Sequence, residues 1–291
     1  MPSKKLTIRN TTSQKDSPVQ SQNGSIVIKN SQEKPLSINA DDELPSMKYN
    51  EIRQLASADE ILGVIKPNQP HFYMFVGSSR AGKTFCCKYI LSSLAAMGHL
   101  DNIFVFSRTA FRNPFEHLGI HHIYEGFDDE ILNGIIEIIK ENYHKTGTIR
   151  PIAIVLDDMG GSKELSKNVS TFANLLLTYR HFGINLFVMV QYAYLVGPRA
   201  RAQADHVFMY KYKNEKNLDA LYHSYGSGFA DKKEFKQVMD EINQEPYKAL
   251  VYRESDKPID EYVIYKAPSK RLDISFDFQQ PKKYKRKSTK K

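Results

Sequence analysis

The residues of this sequence that can do chemistry follow apolar runs, and the first set is Gly77–Thr84. This segment matches G-x-x-x-x-G-K-[S/T] at every fixed position and follows the apolar residues Phe72–Val76. Glycines let successive backbone N–H groups turn inward around a polyphosphate, and the helix predicted over Thr84–Met97 directs the positive end of its dipole at the same point. The sequence therefore predicts a loop that binds the phosphates of a nucleoside triphosphate.

Each residue type in this phosphate loop has a predicted task. Lys83 reaches the β- and γ-phosphates of ATP, and the Thr84 hydroxyl ligates Mg²⁺. The other residues that we expect to contact the nucleotide are Gly77, Ser78, Ser79, Arg80, Ala81, Gly82 and Phe85.

Two further strand ends carry polar side chains. Asp157 and Asp158 close the run Pro151–Asp158, which is typical of a Walker B element, although the letters DDMGG also suit a plain turn. We predict that Asp157 holds Mg²⁺ and that Asp158 orients and polarises the attacking water. Gln191 ends the run Asn185–Gln191, where its amide would touch the γ-phosphate and the water, or would serve only as a bonded strand-end amide.

The elements that must position these residues alternate along the chain. Continuous apolar strands separated by helices predict an α/β fold with a parallel sheet covered on both faces. Ligands of such sheets lie beyond the carboxyl ends of the strands. Besides the run before Gly77, the predicted strands are Asn102–Ser107, His122–Tyr124, Pro151–Asp158, Asn185–Gln191, Asp205–Tyr212, Tyr247–Arg253 and an edge strand at Ile259–Tyr265. The predicted helices are Thr84–Met97, Asp128–Tyr143, Lys163–Arg180 and two between residues 212 and 247, and a short helix or turn is predicted at Asp59–Ile65.

Charge and composition divide the 291 residues into three parts. Residues 1–45 are polar and are expected to form a flexible arm, residues 46–270 to form the nucleotide-binding domain, and residues 271–291 to form a basic tail. Seven of the net +8 charges lie in Pro281–Lys291, so the rest of the chain is close to neutral. Such a tail suits contact with a DNA backbone, or alternatively solubility or nuclear import.

The chain has no apolar run long enough to span a bilayer, and its basic N-terminus is not followed by a signal-peptide core. The two cysteines, Cys86 and Cys87, are adjacent, which predicts buried free thiols and a reducing, intracellular setting.

The motifs together resemble those of the FtsK–HerA superfamily of ring-shaped DNA-pumping ATPases. Within it, the chain is similar to the genome-packaging ATPases of large double-stranded DNA viruses, of the poxvirus and iridovirus type. The residues that carry the resemblance are GSSRAGKT, IVLDDM, LLLTYRHFGINLFVMVQ and LVGPRARAQADHVFM, within residues 60–265. The Walker elements are common to P-loop proteins, and the block from Arg180-His181 to Gln191 is more specific.

The resemblance implies an additional-strand P-loop fold, in which the strand of Gln191 lies between those of the phosphate loop and Asp157. It also implies a homo-oligomeric ring, a pentamer or hexamer, in which an arginine from a neighbouring subunit completes each site. Arg180, Arg199 and Arg201 are the candidates, with Arg199 or Arg201 favoured because Pro198 precedes them. The alternative role for each of these arginines is a surface salt bridge.

Arg80 departs from the pattern of these relatives, which place a small residue there. It would contact a phosphate or a neighbouring subunit, or point to solvent. If Arg80 acts within its own subunit, an arginine from a neighbouring subunit is less needed to complete the site.

The leading hypothesis is an ATP-driven translocase of double-stranded DNA that packages a viral genome into a preformed capsid. Its expected partners are DNA, further copies of the chain and a capsid or portal protein. Its expected location is a virus assembly site in the host cytoplasm or nucleus, or the virion. The alternatives are a cellular or plasmid DNA pump, a P-loop nucleotide kinase and a nucleotide-binding scaffold. A GTPase is disfavoured, since Lys216–Asp219 reads KNLD rather than N-K-x-D.

Overall fold

The computed structural model of the protein describes residues 47–66, 69–112, 115, 118–120, 122–159, 171–253, 255 and 261–269. The predicted N-terminal arm and basic tail therefore lie outside the described residues, as does the first half of the helix predicted at Lys163–Arg180.

Within these residues, nine strands form one mixed sheet. They are β1 (Arg53–Leu55), β2 (Phe72–Val76), β3 (Asn102–Ser107), β4 (His122–Glu125), β5 (Ile152–Asp157), β6 (Ile184–Val190), β7 (His206–Met209), β8 (Lys248–Arg253) and β9 (Tyr262–Lys266). Their order across the sheet is β1-β9-β8-β7-β2-β6-β5-β3-β4. All neighbouring strands are parallel except that β8 is antiparallel to both β7 and β9.

Helices cover both faces of this sheet. The described helices are α1 (Ala58–Ile65), α2 (Lys83–Ala96), α3 (Asp129–Thr146), α4 (Thr171–Thr178), α5 (Pro198–Arg201), α6 (Glu215–Tyr225) and α7 (Lys232–Ile242). Short 3₁₀ turns lie at Tyr49–Glu51, Ala110–Arg112, Tyr179–Phe182 and Ala193–Leu195. Apolar residues of α1 and α2 join the core on one face, and those of α3, α4, α6 and α7 join the core on the other.

The strands are apolar throughout because both of their faces are buried. In β2, Phe72 and Met74 pack into the core under α3 and α4, whereas Tyr73 and Phe75 pack into the core under α1 and α2, and none of the four is exposed. Successive side chains of a strand point to opposite faces, so a strand without polar alternation needs cover on both sides. The predicted α/β fold with a two-sided sheet is confirmed.

The side chain before each of four helices marks where that helix begins. Ser57, Asp128, Asn214 and Asp231 each accept a hydrogen bond from a backbone N–H in the first turn that follows. Such caps satisfy N–H groups that have no partner within the helix.

The topology confirms one specific expectation and corrects another. β6 lies between β2 and β5, as the resemblance implied, so the strand that ends before Gln191 separates the phosphate loop from Asp157. The strand predicted as an edge at Ile259–Tyr265 is observed as β9, which is second from the edge. β1 takes the edge position by pairing parallel with β9. Its three residues are too few to show a strand period, which is why sequence reasoning missed it.

Both cysteines are buried and free, as predicted. Burial raises the pKa of the Cys86 thiol to about 12, so the thiol stays protonated at neutral pH. Of the described helices, none combines the length and apolar character needed to cross a membrane.

Candidate functional site

The phosphate loop connects β2 to α2 at the carboxyl edge of the sheet, meaning the edge where β2, β5, β6 and β7 end. Backbone hydrogen bonds hold its first residues to both neighbouring strands. Gly77 N–H donates to the Val190 carbonyl at 3.2 Å, and Ser78 N–H donates to the Lys211 carbonyl at 2.8 Å. A Cβ on Gly77 would lie 2.5 Å from Cβ of Tyr210, so only glycine fits this approach.

The second half of the loop turns through left-handed backbone. Arg80 has a φ of +63° and Gly82 a φ of +104°, and α2 begins directly after Gly82. Ala81 N–H donates to the Ser78 carbonyl at 3.3 Å and closes the turn. The first N–H groups of α2 therefore face the loop, which is the arrangement that binds phosphate at a helix N-terminus.

Lys83 folds back over the loop that precedes it. Its Nζ donates to the carbonyls of Gly77 at 2.7 Å and Ser78 at 2.9 Å. Burial lowers the pKa of the Lys83 amine, while the negative charges of Asp158 and Asp157 oppose that shift. The amine is thus a poorly hydrated donor at the position where phosphate oxygens would replace the carbonyls.

The two acids after β5 point in different directions. Asp157 is 6% exposed, whereas Asp158 is exposed and takes a left-handed φ of +51°. Burial raises the pKa of the Asp157 carboxyl and the charge of Asp158 adds to the shift, while a hydrogen bond from Ser107 opposes it. One carboxylate is therefore held inside the site and the other faces the open cleft.

Gln191 follows β6 and lies beside the second acid. Its Nε2 donates to Oδ1 of Asp158 at 3.3 Å. Because β6 separates β2 from β5, the amide lies between the loop and the acids. The structure thus brings together the three strand ends that the sequence singled out.

One cleft contains these groups. It is lined by Ser79, Arg80, Lys83, Thr84, Thr109, Asp157, Asp158, Met189 and Gln191. Of the remaining predicted loop residues, Gly77, Ser78, Ala81 and Gly82 form the backbone of the turn. Phe85 lies in the first turn of α2 with 36% of its surface exposed.

Sequence reasoning missed two hydroxyl residues of the site, Ser107 and Thr109. The pairing of β3 with β5 brings them to Asp157. Ser107 is fully buried, and its Oγ donates to Oδ2 of Asp157 at 3.2 Å. Thr109 N–H donates to Oγ of Ser107 at 3.1 Å, and its own hydroxyl lies 3.1 Å from the same oxygen. The available signal was a polar residue at the end of the apolar run NIFVFS, the signal that identified Asp158 and Gln191.

Arg180 lies away from the cleft, at the amino edge of the sheet, where β2, β6 and β7 begin. Its guanidinium forms an ion pair with Asp205. Asp205 also accepts hydrogen bonds from the Tyr179 hydroxyl at 2.6 Å and from Phe72 N–H at 2.7 Å. Within its own chain, this arginine takes part in a structural network.

The other two arginines differ from each other. Arg201 donates from Nε to the Ser224 hydroxyl at 2.9 Å and from a terminal nitrogen to the Val196 carbonyl at 2.6 Å. Arg199 is exposed and has no hydrogen-bond or ion-pair partner in the part of the chain that the structure describes. Of the three candidates, Arg199 is the one whose guanidinium bonds to none of the residues that the structure describes.

Comparisons with known proteins agree with this architecture. No protein-family model matches the chain. "Uncharacterized protein 075L" of Invertebrate iridescent virus 6 is 23% identical over an alignment of 197 residues that covers 64% of this chain and 74% of that protein.

Among solved structures, the chain is similar to the genome packaging NTPase B204 from Sulfolobus turreted icosahedral virus 2. In its complex with ATP-gammaS, the TM-score is 0.52 at 16% identity, over 69% of this chain and 98% of that one. In its complex with sulfate, the TM-score is 0.52 at 16% identity, over 70% and 100% of the two chains. At this level of identity the likeness shows a shared fold, that of P-loop NTPases.

Proposed function

We propose that the protein hydrolyses ATP and couples the reaction to movement of double-stranded DNA, packaging a viral genome into a preformed capsid. The observation that carries the ATPase part is the meeting of three strand ends in one cleft, where Lys83 and Thr84 face Asp157, Asp158 and Gln191. Binding alone requires only the phosphate loop. The acids and the amide opposite it are the groups that hydrolysis needs.

The donor set fits Mg²⁺ as well as the triphosphate. Thr84 and Asp157 supply a hydroxyl and a carboxylate, the hard oxygen ligands that this ion prefers. Burial raises the pKa of the Asp157 carboxyl, and a nearby cation would offset that cost of holding a buried charge. We assign Thr84 and Asp157 to the ion, which, when bound, neutralises charge on the β- and γ-phosphates.

Hydrolysis forms a bond between a water oxygen and the γ-phosphorus and breaks the bond from that phosphorus to the bridging oxygen, which leaves with ADP. We assign Asp158 to accept a hydrogen bond from this water and to orient it. The protons of the water end on the phosphate product and in solvent. Gln191 holds Asp158 through its amide. Lys83 supplies positive charge at the phosphates.

Two observations support the DNA-packaging part of the proposal. A solved structure with the same fold is named as a genome packaging NTPase, and a sequence relative comes from an iridescent virus. The seven basic residues of Pro281–Lys291 add a site for phosphate backbones. The proposed partners are double-stranded DNA and a capsid or portal protein, at assembly sites in the host cytoplasm or nucleus, or within the virion.

The proposed assembly is a homo-oligomeric ring in which a neighbour's arginine completes each cleft. Arg199 is the best candidate, because it is exposed and unpaired among the described residues, whereas Arg180 and Arg201 bond within their own chain. An arginine that reaches the transferring phosphoryl group can raise turnover by about 10³-fold to 10⁵-fold.

A phosphate-release assay with and without long double-stranded DNA tests the function. We expect Mg²⁺-dependent hydrolysis of ATP that DNA stimulates, and a loss of at least about 100-fold in the Asp158→Asn variant. Lys140→Ala, on the exposed side of α3, is the matched control and should keep full turnover. Transfer of phosphate to a nucleoside monophosphate without a response to DNA would replace the translocase with a nucleotide kinase.

Mixing two inactive variants tests the ring. Arg199→Ala keeps its own phosphate loop and Lys83→Ala keeps its own arginine, so a mixed ring contains some complete sites. We expect turnover to recover on mixing and to rise with protein concentration. Full activity of Arg199→Ala alone, or of a strict monomer, would contradict the proposed contribution in trans.

A further inference from the structure

Tyr247 is an exposed aromatic residue that the proposed hydrolysis does not use. The residue is 56% exposed, and its backbone lies in the left-handed region with a φ of +66°. That conformation is unfavourable for an L-residue with a side chain, because its Cβ comes too close to the following carbonyl oxygen. Of the other three non-glycine residues with positive φ in the described chain, Arg80 and Asp158 line the cleft. Strained backbone of this kind concentrates at ligand sites.

The topology places Tyr247 at the carboxyl edge. It directly precedes β8, and β8 runs antiparallel to β7, so β8 starts where β7 ends. The last residue of β7, Met209, pairs with Leu250 near the start of β8. Tyr247 therefore lies on the same side of the sheet as the phosphate loop.

The tyrosine packs directly on that loop. A Cβ added to Gly82 would lie 3.1 Å from Cδ1 and 3.3 Å from Cβ of Tyr247. The absence of a side chain at Gly82 thus leaves room for the ring against the N-terminus of α2. More than half of the residue nevertheless remains open to solvent, so this packing does not use up its apolar surface.

The direction of a bound nucleotide follows from the order of the strands. β6 and β5, which carry Gln191 and Asp158, lie on one side of β2, whereas β7 and β8 lie on the other. The γ-phosphate must face Asp158 and Gln191 for hydrolysis. The rest of the nucleotide then leaves the loop away from those residues, on the side where Tyr247 lies.

We propose that Tyr247 is the platform for the nucleobase, and that the base of the bound nucleotide stacks on its exposed ring. This inference rests on the proposed function, since it takes its direction from the γ-phosphate at Asp158. Stacking reads the face of an aromatic base rather than its edge, so the ring accepts adenine without selecting it by hydrogen bonds. Another exposed ring, Phe85, lies three residues after Gly82 and so extends the apolar surface on that side of α2.

Calorimetric titration of the full-length protein with Mg²⁺ tests this assignment, using two probes. AMPPCP carries a base and a polyphosphate, and inorganic tripolyphosphate carries only the latter. Tyr247→Asn removes the ring but tolerates the left-handed backbone, so the fold is kept. Tyr247→Phe keeps the ring and removes only the hydroxyl.

We expect Tyr247→Asn to weaken AMPPCP binding by about 5-fold to 150-fold, the range for loss of one stacked base, and to leave tripolyphosphate binding unchanged. Tyr247→Phe should bind both probes like the parent protein. Equal weakening of both probes would mean that Tyr247 only shapes the phosphate loop, and no weakening of either would also overturn the platform. If the parent protein binds neither probe, the proposed ATPase function fails with it.

Discussion

At the carboxyl edge of the sheet, Asp157, Asp158 and Lys83 face an open cleft, whereas at the amino edge Asp205, Tyr179 and Arg180 bond to one another. The carboxyl edge holds strained backbone at Arg80, Asp158 and Tyr247, and its Lys83 donates to two loop carbonyls. At the amino edge, one carboxylate accepts from a hydroxyl, a backbone N–H and a guanidinium.

Residue type alone therefore does not separate a site from a structural network. Both edges use acids, bases and aromatic rings next to buried strands. At the amino edge, Asp205 is already bonded to three donors of its own chain, so this carboxylate has little left to offer a ligand. The carboxyl edge leaves charge and strain uncompensated, and a bound nucleotide with Mg²⁺ would compensate them. Variants at the carboxyl edge should therefore lower turnover and change stability little. Variants at the amino edge should lower stability and change turnover little.

The largest effect is expected from Lys83→Ala at the carboxyl edge. Loss of this charge should reduce ATP turnover by at least about 100-fold, because the amine is the cation closest to the predicted phosphates. The free energy of unfolding should change by less than about 1 kcal/mol, since two bonds to loop carbonyls are lost among the described residues. Phosphate release and urea denaturation measure the two quantities. A large loss of stability would contradict the comparison.

The reverse pattern is expected from Asp205→Ala at the amino edge. The Tyr179 hydroxyl and the Phe72 N–H would lose their acceptor while buried, which costs about 2–4 kcal/mol of unfolding free energy. Asp205→Asn keeps an acceptor oxygen and should lose less. At a temperature where the variant is folded, its turnover should stay within about twofold of the parent. A turnover loss in the folded variant would place the network in the catalytic machinery.

Acid should destabilise the amino edge through its histidines. Burial lowers the pKa of His206 well below its ordinary 6.5, with the positive charges of His71 and Arg253 adding to the shift, and burial also lowers the pKa of His71. These histidines therefore bind protons near pH 6.5 in the unfolded chain but stay neutral in the folded chain. The free energy of unfolding falls as the pH drops through that value.

Urea midpoints at about pH 7.5 and about pH 5.5 measure this fall. The variant His206→Phe keeps a buried ring that cannot be protonated, and its midpoint should fall less over the same interval. An equal fall in the variant and the parent would assign the acid sensitivity to other groups.

The smallest effect is expected from Arg180→Ala. Its side chain is 56% exposed, so solvent screens the ion pair with Asp205 and the loss should be at most about 1 kcal/mol. Turnover should remain that of the parent, in contrast to Arg199→Ala. Reduced turnover with unchanged stability would instead support Arg180 as the arginine that acts across a subunit boundary.

Local patterns were enough to find most of the candidate site. Gly77–Thr84, Asp157, Asp158 and Gln191 all follow apolar runs, and the ends of parallel strands meet at one edge of a sheet. The strand and helix types followed from the same runs, because continuous apolar strands between helices require a sheet buried on both faces.

Long-range pairing decided what the patterns left open. Ser107 reaches Asp157 only because β3 pairs with β5 in a register that puts these two residues side by side. From the sequence, Arg180 resembled a catalytic arginine. In the structure it forms an ion pair with Asp205, which directly precedes β7. Sequence separation hides both contacts, since each joins segments that are far apart along the chain.

The phosphate loop, the acid pair and the amide at the ends of apolar strands can be read from the amino-acid sequence, because short-range spacing is enough to define each of them. Three outcomes required the folded chain: β6 places Gln191 between the loop and the acids, Arg199 alone of the three arginines is unpaired among the described residues, and Tyr247 packs on Gly82. These outcomes depend on strand order and register, which are set by how the whole core packs rather than by any local run of residues.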